Sequence, residues 1–434
     1  MGFSGDYQED IGIEKTNIAQ FFEDVKGTLK AMAFNDFPME KTMSDGRVVQ
    51  MELSTVRKPY LVIGAPGIGK TCGILSAVKE INDELEQKGL SDRKFKLRKI
   101  MLGQTIVGEM QGLPVNFNGE VRRLQSPDLP KTDGSEEYGV LFLDEITTAD
   151  EAQVLPALAF TDDTRNIGTY SLPEHWLVIC AGNGPESSNF NRLDDTVLNR
   201  CRNFDIEFDY KRDWRPWAQA NNINPLIIAF LNFEPKFGHM EVATEEDRAG
   251  KAFASPRSWT NLSQALDNRE FEGRPVSQDN LYQFAASFVG TEAAGQFSAF
   301  CAFKDEISFD ATRILEGTEK MPTGDIKVQQ FHILMQSIAN AIKTMLREEF
   351  VDEDESTGEK NYTSEGYEKM GNAIRWLLEL KKYMLDLCVE GIIQIRTEVP
   401  DAINILADRD FADFCPEFDD FIDENADVLN QVLV

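Results

Sequence analysis

The sequence predicts an α/β protein: a parallel sheet with helices on both faces in its first half, then helices alone. Three observations carry this. Apolar runs of strand length alternate with amphipathic stretches up to about residue 210. Beyond that point strand signals become rare and helical periodicity takes over. The chain has 434 residues, enough for two or three domains, and its 42% of hydrophobic residues can fill buried cores.

Residues 1–56 read as a mostly helical lead-in, since IAQFFEDVKGTLKAM (18–32) has apolar residues at helical spacing. YLVI (60–63) is a short apolar run before a glycine-rich turn, the pattern of a buried parallel strand. CGILSAVKEINDELEQKG (72–89) reads as an amphipathic helix that stops at Gly89. KLRKIMLG (96–103), VLFLDE (140–145), WLVICAGN (176–183) and FDIEF (204–208) supply four further strands. Between them, Asn118-Gly119 in GLPVNFNGEVRRLQ (112–125) signals a type I′ hairpin. Helical segments follow at 224–233, 255–268, 281–290 and 292–303. A last helical section spans 324–434, interrupted by VDEDESTGEKNYTSEG (351–366). That stretch is polar and acidic without an apolar period, so an exposed loop is expected.

Asp and Glu number 74 against 44 Lys and Arg, a net charge of −30. Such a balance opposes sequence-independent nucleic-acid binding and docking on an anionic membrane. No apolar run reaches the ~20 residues needed to cross a bilayer, and the acidic N-terminus lacks signal-peptide character. The six cysteines form no CxxC pair and sit mostly among apolar neighbours. Buried free thiols in a reducing compartment, the cytoplasm, are expected. His175, His239 and His332 are too scattered to suggest a histidine metal site.

GAPGIGKT (64–71) fits the pattern G-x-x-x-x-G-K-[ST], with a strand before it and a helix after it. The chemistry requires this order. Gly64, Ala65, Pro66, Gly67, Ile68 and Gly69 form a loop whose backbone N–H groups wrap phosphate, and the helix N-terminus adds a positive field. Lys70 reaches the β- and γ-phosphates, and the Thr71 hydroxyl can ligate Mg²⁺. Cys72 completes the first turn beside the nucleotide. ATP and Mg²⁺ are the implied ligands. Hydrolysis also needs carboxylates at the end of a neighbouring strand, and VLFLDE ends in Asp144 and Glu145. Asp144 would hold the metal through water, and Glu145 would polarise the attacking water. Asn183 ends the next apolar strand, where an amide can orient that water.

These segments, with GLP (112–114), VLFLDEITTADEAQ (140–153), LDDTVLNR (193–200) and SPRSW (255–259) in order, resemble the MoxR-like branch of the AAA+ ATPases. The likeness covers roughly 57–305, with a weaker echo in MPTGD (321–325). It implies an AAA+ P-loop NTPase core at 57–210, a helical lid at 211–305 and an all-α acidic extension at 306–434. It also implies a ring, usually hexameric, with ATP between subunits. Asn183 then matches the sensor-1 position, Arg200 the arginine finger and Arg257 the sensor-2 arginine of the lid. Arg202, two residues beyond Arg200, could substitute or assist. In this branch the 112–125 hairpin projects toward the ring's centre or face. Phe117 would then be either a substrate handle or a packing residue.

The resemblance points to a remodeller of partner proteins; members commonly act with a partner carrying a von Willebrand factor A-like domain. A nucleic-acid motor is the alternative, opposed by the charge although Arg122 and Arg123 could line a basic pore. A nucleotide-gated scaffold is opposed by the presence of Glu145, Asn183 and Arg200 together. A small-molecule kinase needs neither a trans-acting arginine nor a lid. Residues 351–434 hold 21 acidic and 7 basic residues, so about half of the excess charge lies beyond the recognisable ATPase. That end is expected either to dock the partner or simply to keep a solvated face.

Overall fold

The structure, a computed structural model, describes residues 15–105, 107–185, 187, 190–193, 195–239, 252–303, 311–319, 327–348, 351–353, 360–380, 385–399, 405–406 and 411–425. The chain divides into two compact units, Met1–Asp209 and Tyr210–Val434. No described helix is long and apolar enough to cross a membrane.

The first unit opens with β1 (Lys15–Thr16) and α1 (Ile18–Phe34). Asn17 caps α1 by accepting the Gln20 N–H at 2.7 Å. Phe21, Val25, Leu29 and Met32 recur at helical spacing and are fully buried. A small hairpin, β2 (Met39–Thr42) and β3 (Val48–Met51), and the short α2 (Leu53–Val56) lead into β4 (Tyr60–Gly64). After the phosphate-loop sequence comes α3 (Lys70–Gln87), which buries Ile74, Ala77, Val78, Ile81 and Leu85. Then follow β5 (Lys96–Met101), α4 (Val107–Gln111), β6 (Leu113–Phe117), β7 (Glu120–Leu124) and β8 (Tyr138–Asp144). The unit closes with α5 (Glu151–Leu158), β9 (Asn166–Ile167), β10 (Tyr170–Ser171), β11 (His175–Gly182), α6 (Asp195–Arg200) and β12 (Arg202–Ile206).

Six strands form one sheet in the order β1-β12-β4-β11-β8-β5, and every neighbouring pair is parallel. Alternate residues serve opposite faces. Tyr60, Val62, Val140, Phe142, Leu177 and Ile179 pack with α1 and α3 on one side. Leu61, Leu141, Leu143, Val178 and Cys180 pack with α5 and the β9–β10 hairpin on the other. Because the strands are parallel, all their C-terminal ends emerge at one edge, where Gly64, Asp144 and Gly182 lie. The N-terminal ends, including Tyr60 and Arg202, lie at the opposite edge.

The second unit is almost wholly helical. A π-helical turn (Tyr210–Trp214) precedes α7 (Arg215–Ala220) and α8 (Pro225–Phe233); α9 (Pro256–Phe271), α10 (Gln278–Val289), α11 (Thr291–Ala302) and α12 (Ala311–Leu315) follow. Phe230 sits at the centre of an aromatic cluster with Phe237, Trp259, Phe297 and Phe300. The 21-residue α13 (Val328–Glu348) precedes β13 (Val351–Glu353), β14 (Lys360–Tyr362), α14 (Ser364–Leu380), α15 (Leu385–Glu398), α16 (Phe411–Phe414) and α17 (Pro416–Glu424). Phe331, Leu334, Met335, Ile338 and Ile342 of α13 form one stripe against Ile374, Leu377, Cys388, Ile392 and Ile395.

The fold class is the one expected, an α/β phosphate-loop core followed by a helical region, although that region is not purely α. One expectation fails. Residues 351–366 are not a plain loop, because β13 and β14 pair antiparallel with Val351 in register with Tyr362, and α14 already begins at Ser364. Strands of three residues are too short to leave an alternation in the sequence. The same shortness hides β1, β9 and β10. MPTGD (321–325) lies outside the described residues.

Candidate active site

The loop between β4 and α3 is shaped by its glycines. Gly67 and Gly69 adopt φ of 82° and 100°, a region that L side chains avoid. Gly69 is the residue from which α3 starts, so the loop's backbone amides and the helix N-terminus share one concavity. Gly64 and Ile68 are buried beneath the loop, whereas Cys72 is exposed on the first turn of α3.

Lys70 is only 8% exposed. Its ammonium donates to the carbonyls of Gly64 at 2.5 Å and Ala65 at 3.0 Å, and to Asn183 Oδ1 at 3.2 Å. The Thr71 hydroxyl donates to Asp144 Oδ2 at 3.1 Å. Four residues read from separate parts of the sequence thus meet at the C-terminal edge of the sheet. The tertiary reason is β11, which lies between β4 and β8 and delivers Asn183 beside the loop.

Glu145 follows directly. Its N–H donates to Asp144 Oδ1 at 3.0 Å, and its φ of 62° places a non-glycine residue in the left-handed region. Such strain persists only where surrounding bonds impose it. Here Ile146 N–H donates to the Ala181 carbonyl at 2.9 Å and the Thr148 hydroxyl to the Glu145 carbonyl at 3.0 Å. Gly103 lies close beside the carboxylate, since a Cβ there would stand 3.4 Å from Glu145 Oε2, in ordinary contact. The buried Thr147 hydroxyl accepts the Asn183 N–H at 2.9 Å, which ties the two strand ends together.

Two supporting residues escape a motif reading. Lys99 on β5 places its ammonium 2.8 Å from Asp144 Oδ2. Thr147 fixes Asn183 without contacting the loop. Lys99 carries no distinguishing signal, being one of three cations, with Lys96 and Arg98, on β5; Thr147 has none either.

Arg200 lies elsewhere. It ends α6 at the N-terminal edge of the sheet, where Asp162 Oδ1 meets its Nε at 3.1 Å. The register pairs Arg202 with Tyr60 at that edge and Ile206 with Gly64 at the other. A strand rise of ~3.3 Å per residue separates the two edges by roughly 13 Å. Arg202 is occupied within its own fold. It donates to the Tyr60 hydroxyl at 2.6 Å, meets Asp24 at 2.7 Å and lies 4.8 Å from the centre of the Tyr60 ring. Burial and the Asp24 carboxylate push the Tyr60 hydroxyl well above its ordinary range, so it stays a neutral member of this network.

Arg257 stands exposed on the first turn of α9, behind the cap formed by Ser255 and Ser258. It belongs to the second unit. The 112–125 hairpin is observed: β6 and β7 pair around Asn118 and Gly119, both at positive φ. Phe117 is 52% exposed, with the Arg122 guanidinium 4.8 Å from its ring centre. Arg123 instead donates to the Gly112 carbonyl at 3.0 Å.

No protein-family model and no curated protein matches the chain. Solved structures do. RuvB of Thermotoga maritima matches at 15% identity over 81% of this chain and 93% of its own, with a TM-score of 0.31. The Aeropyrum pernix ORC1 protein, solved with DNA, matches at 11% over 80% and 82%, with a TM-score of 0.35. C. elegans PCH-2 matches at 13% over 68% and 71%, with a TM-score of 0.30.

Proposed function

We propose that the chain is an AAA+ ATPase of MoxR-like type, which hydrolyses Mg-ATP at the interfaces of a ring of identical subunits and remodels a partner protein. The observation that carries this is the meeting of Lys70, Thr71, Asp144 and Asn183 at one edge of the sheet, with Arg200 at the other.

Each residue has a task that its position allows. Lys70 exchanges loop carbonyls for phosphate oxygens. The Thr71 hydroxyl and Asp144 carboxylate are hard oxygen donors 3.1 Å apart, a donor set that suits Mg²⁺. Thr71 and Asp144 would hold the metal, which would supply charge neutralisation to the phosphates. Glu145 takes the proton of the attacking water, and Asn183 orients that water. Arg200 cannot serve its own subunit's loop across the sheet. It supplies charge stabilisation to the phosphates held by an adjacent copy. Arg257 links phosphate loss to movement of the helical unit.

The hairpin is the proposed contact with substrate. Leu113, Phe117, Val121 and Leu124 are all more than half exposed, which suits a protein surface better than a phosphate backbone.

Arg200→Ala should leave ATP binding intact and lower steady-state turnover by ~10³-fold or more. Full turnover in that variant would refute the shared site. Glu145→Gln should bind ATP yet hydrolyse it far more slowly, and affinity purification of this trapped form identifies the partner. Filter binding across a salt series tests the nucleic-acid alternative, which requires an affinity that falls as salt rises.

A further inference from the structure

The N-terminal edge of the sheet holds a second guanidinium for which the site described above has no use. A pocket of about 270 Å³ is lined there by Ser54, Arg57, Lys58, Asp162, Asp163 and Arg200, among others. The register explains the juxtaposition. Arg202 pairs with Tyr60, so the end of α6, with Arg200, and the approach to β4, with Arg57 and Lys58, meet at one edge and line one pocket. The Arg202 N–H donates to the Pro59 carbonyl at 2.8 Å and locks the two lead-in segments together.

The cations of this pocket differ in their state. Arg165 also lines it, but its guanidinium is spent on the carbonyls of Glu174 and Trp176. Arg200 has the Asp162 carboxylate. Arg57 makes no hydrogen bond or ion pair through its side chain among the described residues, although its Nε is shut off from solvent. Burial lowers its pKa from the ordinary arginine value, against the opposing pull of Glu174 and Asp163. A charged group desolvated without a partner costs free energy that an entering anion would recover. In a chain of net charge −30, a concavity with Arg57, Lys58 and Arg200 against two carboxylates stands out as an anion site.

We infer that Arg57 acts with Arg200 as a paired receiver for the nucleotide phosphates carried by a second copy of this chain. The inference rests on the shared-site reading above, and it adds a second residue to it. Two guanidinium groups from one edge suit a triphosphate, because each can fork two parallel hydrogen bonds onto phosphate oxygens. The occupant must come from outside, since the chain's own loop lies at the far edge.

The test uses full-length protein and mixed oligomers. Arg57→Ala should bind ATP normally and lose turnover by roughly 10–10²-fold, the effect of one charge-assisted contact. Mixed in equal amounts with Lys70→Ala, it should regain activity. Random assembly of a head-to-tail ring joins an intact loop to an intact edge at about a quarter of interfaces. Unchanged turnover in Arg57→Ala overturns the inference. So does a loss that Lys70→Ala cannot rescue while the mixture of Arg200→Ala with Lys70→Ala is rescued, because Arg57 would then act within its own subunit. If neither mixture recovers, the shared-site reading itself fails. Thermal melting checks that the fold survives, and Arg57→Lys serves in the same mixtures if the alanine variant does not fold.

Discussion

At the C-terminal ends of the strands, Lys70, Thr71, Asp144 and Asn183 are held by one another and by loop carbonyls. At the N-terminal ends, Arg200 leans on one half-exposed carboxylate, and Arg57 makes no ion pair among the described residues. Both edges belong to the same sheet and share strand β4. The first edge is complete within one chain, so its donors satisfy each other. At the second, Arg165 and Arg202 are spent inside the fold, whereas Arg57 makes no side-chain hydrogen bond or ion pair among the described residues. A parallel sheet produces this asymmetry naturally, because it sends every strand end of one kind to one side.

The largest expected effect tests the self-contained edge. Lys70→Ala removes a buried ammonium that bridges the loop to Asn183, and it should abolish detectable ATP binding by calorimetry. Retained binding would mean that the loop amides alone grip phosphate, and the first edge would be less dependent on its side chains than the geometry implies. The loss should also exceed that of any substitution at the second edge, which is expected to spare binding.

A smaller effect separates two arginines only two residues apart. Arg202 is bound into the fold through Tyr60 and Asp24, whereas Arg200 is not. Arg202→Ala should therefore cost stability, about 1–2 kcal/mol after allowing for its partial exposure. For a unit of this size that lowers the melting temperature by roughly 2–8 °C. Turnover per folded protein should stay within about threefold of wild type, a change near 0.6 kcal/mol. Arg200→Ala should show the reverse pattern, with stability nearly unchanged. Equal profiles for the two variants would erase the distinction.

The part of the site that was legible is the part whose chemistry sits in contiguous residues. The phosphate loop must be glycine-rich, and an apolar strand ending in Asp144 and Glu145 announces itself. The three central strands β4, β8 and β11 were legible for the same reason: both faces are buried, so the apolar runs are nearly unbroken. What was hidden depends on pairing across the sheet. Arg202 meets Tyr60 from 142 residues away, and Thr147 reaches Asn183 from 36. Arg57 stands at the boundary between the lead-in and the core and belongs to no motif. Nothing near it in sequence marks it, because its neighbour Arg200 arrives through the β4–β12 register. Lys99 is one of three cations on β5, and only the pairing of β5 with β8 sets it against Asp144.

The smallest expected effect probes what restrains Arg200. Asp162 holds its Nε at 3.1 Å, with both side chains about one-third or more exposed. An exposed ion pair contributes at most ~1 kcal/mol, so releasing it can change a rate by about fivefold and no more. Arg200 must leave Asp162 to meet a phosphate, and that separation costs part of the contact's value. Asp162→Asn keeps the size of the side chain while removing its charge. Turnover should rise, by up to about fivefold, with ATP affinity unchanged. A fall in turnover would carry the opposite meaning: the carboxylate would be aiming the guanidinium rather than restraining it. The second edge would then be organised before any neighbour arrives, and the contrast with the first edge would lie in what each edge binds rather than in how firmly each is held.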